Sequence, residues 1–366
     1  MRLSHTLSRY IARQYFGNFA AVLGLFIFLI LVFDTVELLR RAAGRQGIGL
    51  SIIAEMAILK APHMMQLTFP FAVLFGSMAT FWRLTRTQEL IVTRAAGVSA
   101  WQFLLPILLV TFLLGVVRIT AINPVSAVML ARYERLDNTL LRSEKSAMAF
   151  TGGGVWLRQG GDQGQVVLRA NTIALDGPSV RLHPVIVFLY RGNDKFIGRV
   201  DAESAVLRPG YWELSKAWLH RPEAPASFLE RHQIPTDLTL ARIQDSFAAP
   251  ETMSFWDMPQ FIRSLREAGF SALRHRLHLH ALLAAPFMMM AMVLLAATFT
   301  LRHVRQGGTT AIIGLGVMTG FLVYFFSDVA FALGLSSSIP IALAAWTPTG
   351  VTGSIGVALI LHLEDG

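Results

Sequence analysis

Apolar residues along this chain are gathered into long uncharged runs. Between Arg13 and Asp34 there is no Lys, Arg, Asp or Glu, and residues 16–33 read FGNFAAVLGLFIFLILVF, long enough at about 1.5 Å per residue to cross a hydrocarbon core of about 30 Å. Further uncharged runs cover 61–82, 95–117, 277–301 and 306–327. A last one, 329–363, is too long for one crossing and is divided by the SSSIP stretch at 336–340, so that a sixth helix begins near Ile339. The pattern predicts six membrane helices in a three plus three arrangement. The first exceeds the roughly 7 to 15 apolar residues of a signal-peptide core and no small-x-small site follows it directly, so it is expected to stay as an anchor. Pro62, Pro70 and Pro286 lie inside apolar runs, where neighbouring helices satisfy the freed carbonyls and kinks are expected.

Between the third and fourth runs the pattern changes. From about Arg132 to Arg276 charges occur throughout and strand-like alternation replaces the apolar runs. VIVFLY (185–190), the turn RGND (191–194) and KFIGRV (195–200) read as a hairpin, and 155–158, 165–170, 205–208 and 211–218 add strands between GG, DGP and RPG turn signals. Such strands without intervening helices suit an antiparallel sandwich or jellyroll, whose open edge another protein's sheet could extend. SFWDMPQFIRSLREAG follows, with Ser254 three residues before Asp257 as a capping-box-like start, an end at Gly269, and Phe255, Met258, Phe261, Ile262 and Leu265 on one face. The fold class is thus an α-helical membrane protein with six transmembrane helices and an inserted all-β, jellyroll-like domain. Its expected divisions are 1–131 (first three spans, with a short amphipathic helix at about 85–99), 132–253 (β-domain), 254–276 (interfacial connector) and 277–366 (last three spans).

Composition sharpens this picture. Of 366 residues 54% are hydrophobic and 15% charged, against about 25% charged in soluble domains, and mean hydropathy is +0.51. Cysteine is absent, which excludes disulfides, thiolate catalysis and Cys-ligated metal. The net charge of +9 reads as basic flanks of membrane spans. Arg2, Arg9, Arg13, Arg83, Arg86, Arg94, Arg302 and Arg305 fall on one side, and Arg40, Arg41, Arg45 and Lys60 on the other. Eight against four places both termini in the cytoplasm and the β-domain outside.

No GxxxxGK[ST] loop occurs, so no ATPase motif of the chain's own is visible. Gly316 and Gly320 form a GxxxG spacing suited to close helix packing. His275, His278 and His280 beside Arg274 and Arg276 read as a basic interfacial flank, since a metal site would want an acidic partner that the local sequence lacks. No metal or cofactor is expected. Asp34 and Asp328, near the ends of apolar runs, read as solvated helix ends rather than relay carboxylates. Arg40 and Arg41 stand just past the first run on the side where positive charge is disfavoured, and guanidinium groups there suit phosphate better than snorkelling alone explains. Arg45 and Lys60 are weaker members of the same patch. RLTRTQELIVTRAAGVSAWQ, between the second and third spans, reads as a short amphipathic helix able to dock in a groove of a cytoplasmic partner.

That last segment carries a resemblance. QELIVTRAAGVS, with RYI (Arg9, Tyr10, Ile11) near the N-terminus, ELLRR after the first span, and three spans, a β-domain and three spans, resembles the LptF/LptG permeases of lipopolysaccharide-export ABC transporters over essentially the whole chain. ELLRR, GVWLR (154–158) and MSFWDMPQFIRSLREAG look more like the LptG branch than the LptF branch. The resemblance implies an inner-membrane subunit of a Gram-negative bacterium, without enzymatic activity of its own, paired with an LptF-like sister permease. It further implies an LptB-like ATPase dimer in the cytoplasm and LptC/LptA-like jellyroll proteins in the periplasm, with lipopolysaccharide as substrate and no nucleic acid. By the same resemblance Arg40, Arg41 and Arg45 meet the phosphorylated head, and Glu89 couples to the ATPase with Arg94 and Gly97 nearby. Phe26, Phe33, Phe321, Tyr324 and Phe325 are expected to wall the lipid cavity. Some members carry a basic residue where this chain has Asp34. The sister LptF role and a non-transporting scaffold for periplasmic partners stand as alternatives.

Overall fold

The computed structural model describes residues 5–43, 49–142, 148–151, 154–161, 164–176, 179–191, 195–222, 224–236, 238–239, 243, 249–267, 271–303 and 309–365. Among them six helices are long and apolar enough to cross a membrane. They are His5–Ala42, Leu50–Arg86, the stretch Ala100–Leu141, Leu273–His303, Thr309–Leu335 and Ile341–Asp365, called here the first to sixth spans. The chain divides into two compact units. One holds the spans together with 250–259, and the other holds 138–249 and 260–272.

The helices overrun the apolar runs that reveal them. The first has 38 residues, about 57 Å of helix against a hydrocarbon core of about 30 Å, so both its ends stand in polar surroundings. The third span differs most from its uncharged run. It is α-helical over Ala100–Val117, continues without interruption through a π-helical turn at Arg118–Ile122, and resumes as Asn123–Leu136. A charged residue marks where hydrocarbon ends, and helix hydrogen bonding does not stop there. Pro62 and Pro70 sit inside the second span and Pro286 inside the fourth, each within a continuous helix.

The second and fourth spans form the middle of the bundle. Tyr15, Phe19, Phe69, Leu74, Phe81, Leu104, Ile107 and Met292 belong to one buried cluster. The Tyr15 and Thr111 hydroxyls lie 2.8 Å apart, and Asn18 Nδ2 donates to Thr80 Oγ1 at 2.9 Å, so polar groups inside the bundle find one another rather than lipid. Small residues set the closest crossings. A Cβ on Gly76 would stand 2.8 Å from Phe19 Cα, and one on Gly316 or Gly320 would press on Met78 or Phe71. The GxxxG spacing therefore seats the fifth span on the second.

The β-unit is a single seven-stranded antiparallel sheet in the order β1 to β7. Its strands are β1 (Met148–Thr151), β2 (Gly154–Gly161), β3 (Gly164–Asp176), β4 (Ser179–Arg191), β5 (Lys195–Arg208), β6 (Tyr211–Arg221) and β7 (Ala224–Pro235). The hairpin read from VIVFLY and KFIGRV is β4–β5, with Val187 opposite Val200. Strands run longer than the apolar alternation alone marks. A flat sheet would hold β2 and β7 about 24 Å apart at about 4.8 Å per strand. Yet Gln159 of β2 donates to the carbonyl of Pro235 at 2.8 Å, and Thr236 bonds the Gln159 side chain. The sheet therefore curls over an apolar interior of Leu157, Leu168, Leu182, Val187, Trp212 and Leu214, all fully buried. This is how one meandering sheet makes the jellyroll-like form. Along β6 the inward positions are Trp212, Leu214, Ala217 and Leu219. The alternation slips by one at Lys216, whose φ is 52°, while the pairing register with β5 and β7 runs on unchanged across it.

The connector departs from expectation. Its helix is Met258–Glu267 and buries Met258, Ile262 and Leu265, whereas Ser254 begins a turn. The Ser254 carbonyl accepts from the Asp257 and Met258 amides, and its hydroxyl accepts from Trp256 N–H. The reason is tertiary. Phe255 N–H donates to Asn123 Oδ1 at 2.8 Å and Trp256 Nε1 to the Thr120 carbonyl at 3.1 Å, which pins this stretch to the π-turn of the third span before a helix can begin. The expected end, Gly269, lies outside the described residues.

Candidate functional site

The first span carries a chemical group at each end. At its start, Tyr10 donates its hydroxyl to Glu89 Oε1 at 3.3 Å, and Thr87 donates to the same oxygen at 2.9 Å. Glu89 opens the seven-residue helix Glu89–Ala95, shorter than the segment expected at about 85–99. Gln88 before it has φ 61°, and Gly97 after it has φ 82°, a conformation that glycine adopts at no steric cost. The next helix starts with a complete capping box between Ser99 and Gln102, which fixes where the short helix must end. Leu90 is buried, while Ile91 and Val92 are exposed beside Arg94. The arrangement is a rigid knuckle with an apolar tip, tied by Glu89 to the root of the first span.

At the other end Glu37 holds both arginines. Its carboxylate accepts from Arg40 Nε at 2.9 Å, from Arg40 Nη2 at 3.0 Å and from Arg41 Nε at 2.8 Å. Spacings of three and four residues place all three side chains on one helical face. Two guanidiniums sharing one carboxylate keep a net positive charge and spare donors, and the Arg40 side chain is 76% exposed. Arg45 lies outside the described residues.

Lys60 and Asp34 correct the sequence reading. They form an ion pair at 2.6 Å with side chains only 20% and 17% exposed, and the Lys60 ammonium stands 5.7 Å from the Tyr133 ring centre. Asp34 is therefore not a solvated helix end, and Lys60 is already neutralised. Burial favours the pairing because either charge alone would be costly there. Asp328 is exposed on the fifth span.

The aromatic residues fall into two groups. Phe33, Phe321, Tyr324 and Phe325 are all more than half exposed. Phe321 and Phe325 stack at 6.4 Å, and Tyr324 tilts against Phe71 at 6.1 Å. Phe26 instead lies edge-on to Phe75 at 6.2 Å, within the packing of the first span on the second. Burial is lowest along the first and fifth spans and highest along the second and fourth. Two apolar spans are thus left uncovered by this chain.

A further polar group escaped the sequence reading. Lys60, His63, Arg118, Glu134, Glu251 and His278 line a chamber of about 460 Å³ inside the helical unit. His278 Nδ1 is 4.0 Å from Glu251, and His275 is buried. His275 and His278 thus turn inward, while Arg274 and Arg276 beside them are exposed. The only signals in the sequence were that Arg118 is the first charge after a long apolar run and that His278 sits in a histidine cluster. Neither names the other.

Two comparisons with known proteins bear on this arrangement. The family described as "Lipopolysaccharide export system permease LptF/LptG" matches residues 9–362. The lipopolysaccharide export system permease protein LptG of Escherichia coli strain K12 is 22% identical over 373 residues, covering 97% of this chain and 98% of that protein. The LptG protein of Escherichia coli O6:H1 strain CFT073 is similar to the same extent.

Proposed function

This chain belongs to the LptF/LptG family of lipopolysaccharide export system permeases, and on that premise we propose that it is the LptG-type permease of an ATP-driven exporter. In this reading it pairs with an LptF-like sister in the inner membrane, and an LptB-like ATPase dimer drives both. Lipopolysaccharide leaves the outer leaflet toward a periplasmic bridge of LptC/LptA-like jellyrolls. The LptG assignment is supported by both relatives bearing that name. The placement of both termini in the cytoplasm and of the curled sheet in the periplasm is supported by the distribution of basic residues.

One observation carries the reading most directly: an exposed phosphate-competent pair, Arg40 and Arg41, at the end of an apolar span that this chain leaves uncovered. An acylated polyanion needs an apolar cavity beside a basic rim. Phe33 on the first span and Phe321, Tyr324 and Phe325 on the fifth offer the wall, with Phe26 behind it. Arg45, outside the described residues, is assigned to the same phosphorylated head. Tyr10 and Arg40 lie thirty residues apart in one helix, about 45 Å along its axis. A push on the knuckle at Glu89, Arg94 and Gly97 is therefore delivered at the root of the rod that carries the rim. ATP-driven closure of the partner dimer moves the knuckle, narrows the cavity and expels the lipid.

Gentle detergent purification of the tagged chain, with mass spectrometry of what accompanies it and an ATPase assay, tests the proposal. A second six-span permease and a nucleotide-binding subunit with activity are the expected companions. The chain alone, without ATPase, would favour the scaffold alternative. Were the accompanying permease itself LptG-like, this chain would take the LptF role.

A further inference from the structure

Arg118 and His278 present an unexplained cost. Arg118 Nε and His278 Nε2 are enclosed and have no hydrogen-bond partner among the described residues. Buried polar atoms left unpaired are rare because each forfeits its solvation for nothing. Both face the polar chamber of about 460 Å³. Arg118 also borders a second chamber of about 270 Å³, together with Gln66 and Leu67, which line both. The second chamber is otherwise walled by small and apolar residues, among them Ala281, Ala284, Ala285, Ala344 and Gly320. Together the chambers fall within the ~300–1,000 Å³ that small-molecule sites occupy.

Their depth is ordered. The polar chamber is drawn from residues at one end of the apolar runs, namely Lys60 and His63 where the second begins, Arg118 where the third ends and His278 where the fourth begins. The apolar chamber lies deeper along the same helices. This is the layering of a lipid in one leaflet, head at the interface and tail below it. The π-turn that begins at Arg118 is the kind of helix irregularity that recurs at functional sites.

We propose that this pair of chambers is a binding site for one anionic phospholipid of the bilayer, its phosphodiester held by Arg118 and His278 and one acyl chain seated among the alanines. The lining selects the occupant. Lys60 is taken by Asp34, and Glu134 and Glu251 face the chamber beside Arg118, His63 and His278. Two carboxylates in the lining disfavour a polyanionic glycolipid head, which belongs at Arg40 and Arg41, and a single phosphodiester is held by the donors of Arg118 and His278 rather than by net charge. The lipid acts as a structural ligand, seated in half-open pockets between the second, fourth, fifth and sixth spans.

Native mass spectrometry of the purified protein with phosphatidylglycerol, phosphatidylcholine or lipopolysaccharide supplied separately tests this. Wild-type protein should retain one phosphatidylglycerol. Arg118→Gln should retain at least tenfold less, and Ala285→Leu, which fills the apolar chamber, should behave likewise. A variant with Arg40→Ala and Arg41→Ala should retain it fully, which separates this site from the exporter reading. Phosphatidylglycerol should raise the melting temperature of the wild type and leave Arg118→Gln unmoved. Without lipid, Arg118→Gln should melt no lower than wild type, because the guanidinium it removes is buried with its Nε unbonded and keeps, among the described residues, only a contact with the Phe69 ring at 6.0 Å. Equal retention by Arg118→Gln, equal retention of phosphatidylcholine, displacement by lipopolysaccharide at matched concentration, or a lower melting temperature for Arg118→Gln without lipid would each overturn the proposal.

Discussion

Glu37, Arg40 and Arg41 show how far single residues can be read. Their spacing in ELLRR places them on one face of a helix, and the structure joins them through one carboxylate. The two guanidiniums remain exposed, so their mutual arrangement contributes little to stability and stays available for a ligand. Replacing both Arg40 and Arg41 with alanine should reduce photo-cross-linking to lipopolysaccharide by tenfold or more while the protein still assembles. Unchanged cross-linking would remove them from the rim. Asp34 and Lys60 were less legible. They are 26 positions apart, and nothing local announces that the packing of the first two spans brings them to 2.6 Å. Tyr10 and Glu89, 79 positions apart, were seen as two separate motifs, and only folding makes them one contact.

Among the elements, the spans were the most legible because each satisfies its own backbone and declares itself by apolar length. Their ends were not, since helix hydrogen bonding ignores the hydrocarbon boundary, as the third span shows by running through Arg118. Gly316 and Gly320 announced a crossing without naming the partner. Gly76 announced nothing, yet it sets the approach of the second span to Phe19 of the first. A side chain there meets backbone 2.8 Å away, which cannot rotate aside. Gly76→Val should therefore destabilise the bundle by about 1–3 kcal/mol, the usual range for overpacking, measured as a lower unfolding midpoint in detergent. The same substitution at Gly24, where nothing lies within 4 Å, should leave the midpoint nearly unchanged. The strands were recognisable by alternation, but the curl of the sheet rests on Gln159 reaching Pro235 across the four strands between them.

For the whole molecule, the uncovered faces of the first and fifth spans separate folding from assembly. Phe321 and Phe325 are 60% and 57% exposed, so Phe321→Ala with Phe325→Ala should shift the stability of the isolated chain by no more than about 0.5 kcal/mol, as surface changes do. Recovery of the sister permease or of cross-linked lipopolysaccharide should fall several-fold. A large loss of stability with assembly intact would reverse their assignment. Sequence alone determined the number of spans, the all-β insertion, the exposed basic pair and the family, because apolar length, alternation and local motifs are properties of neighbouring residues. Tertiary structure alone decided that Lys60 is spent on Asp34, that His275 and His278 turn inward, that Phe26 packs behind the wall, and that Arg118 faces a polar chamber. Those outcomes depend on which helices become neighbours, and pairing, burial and solvation belong to the resulting spaces rather than to any stretch of chain.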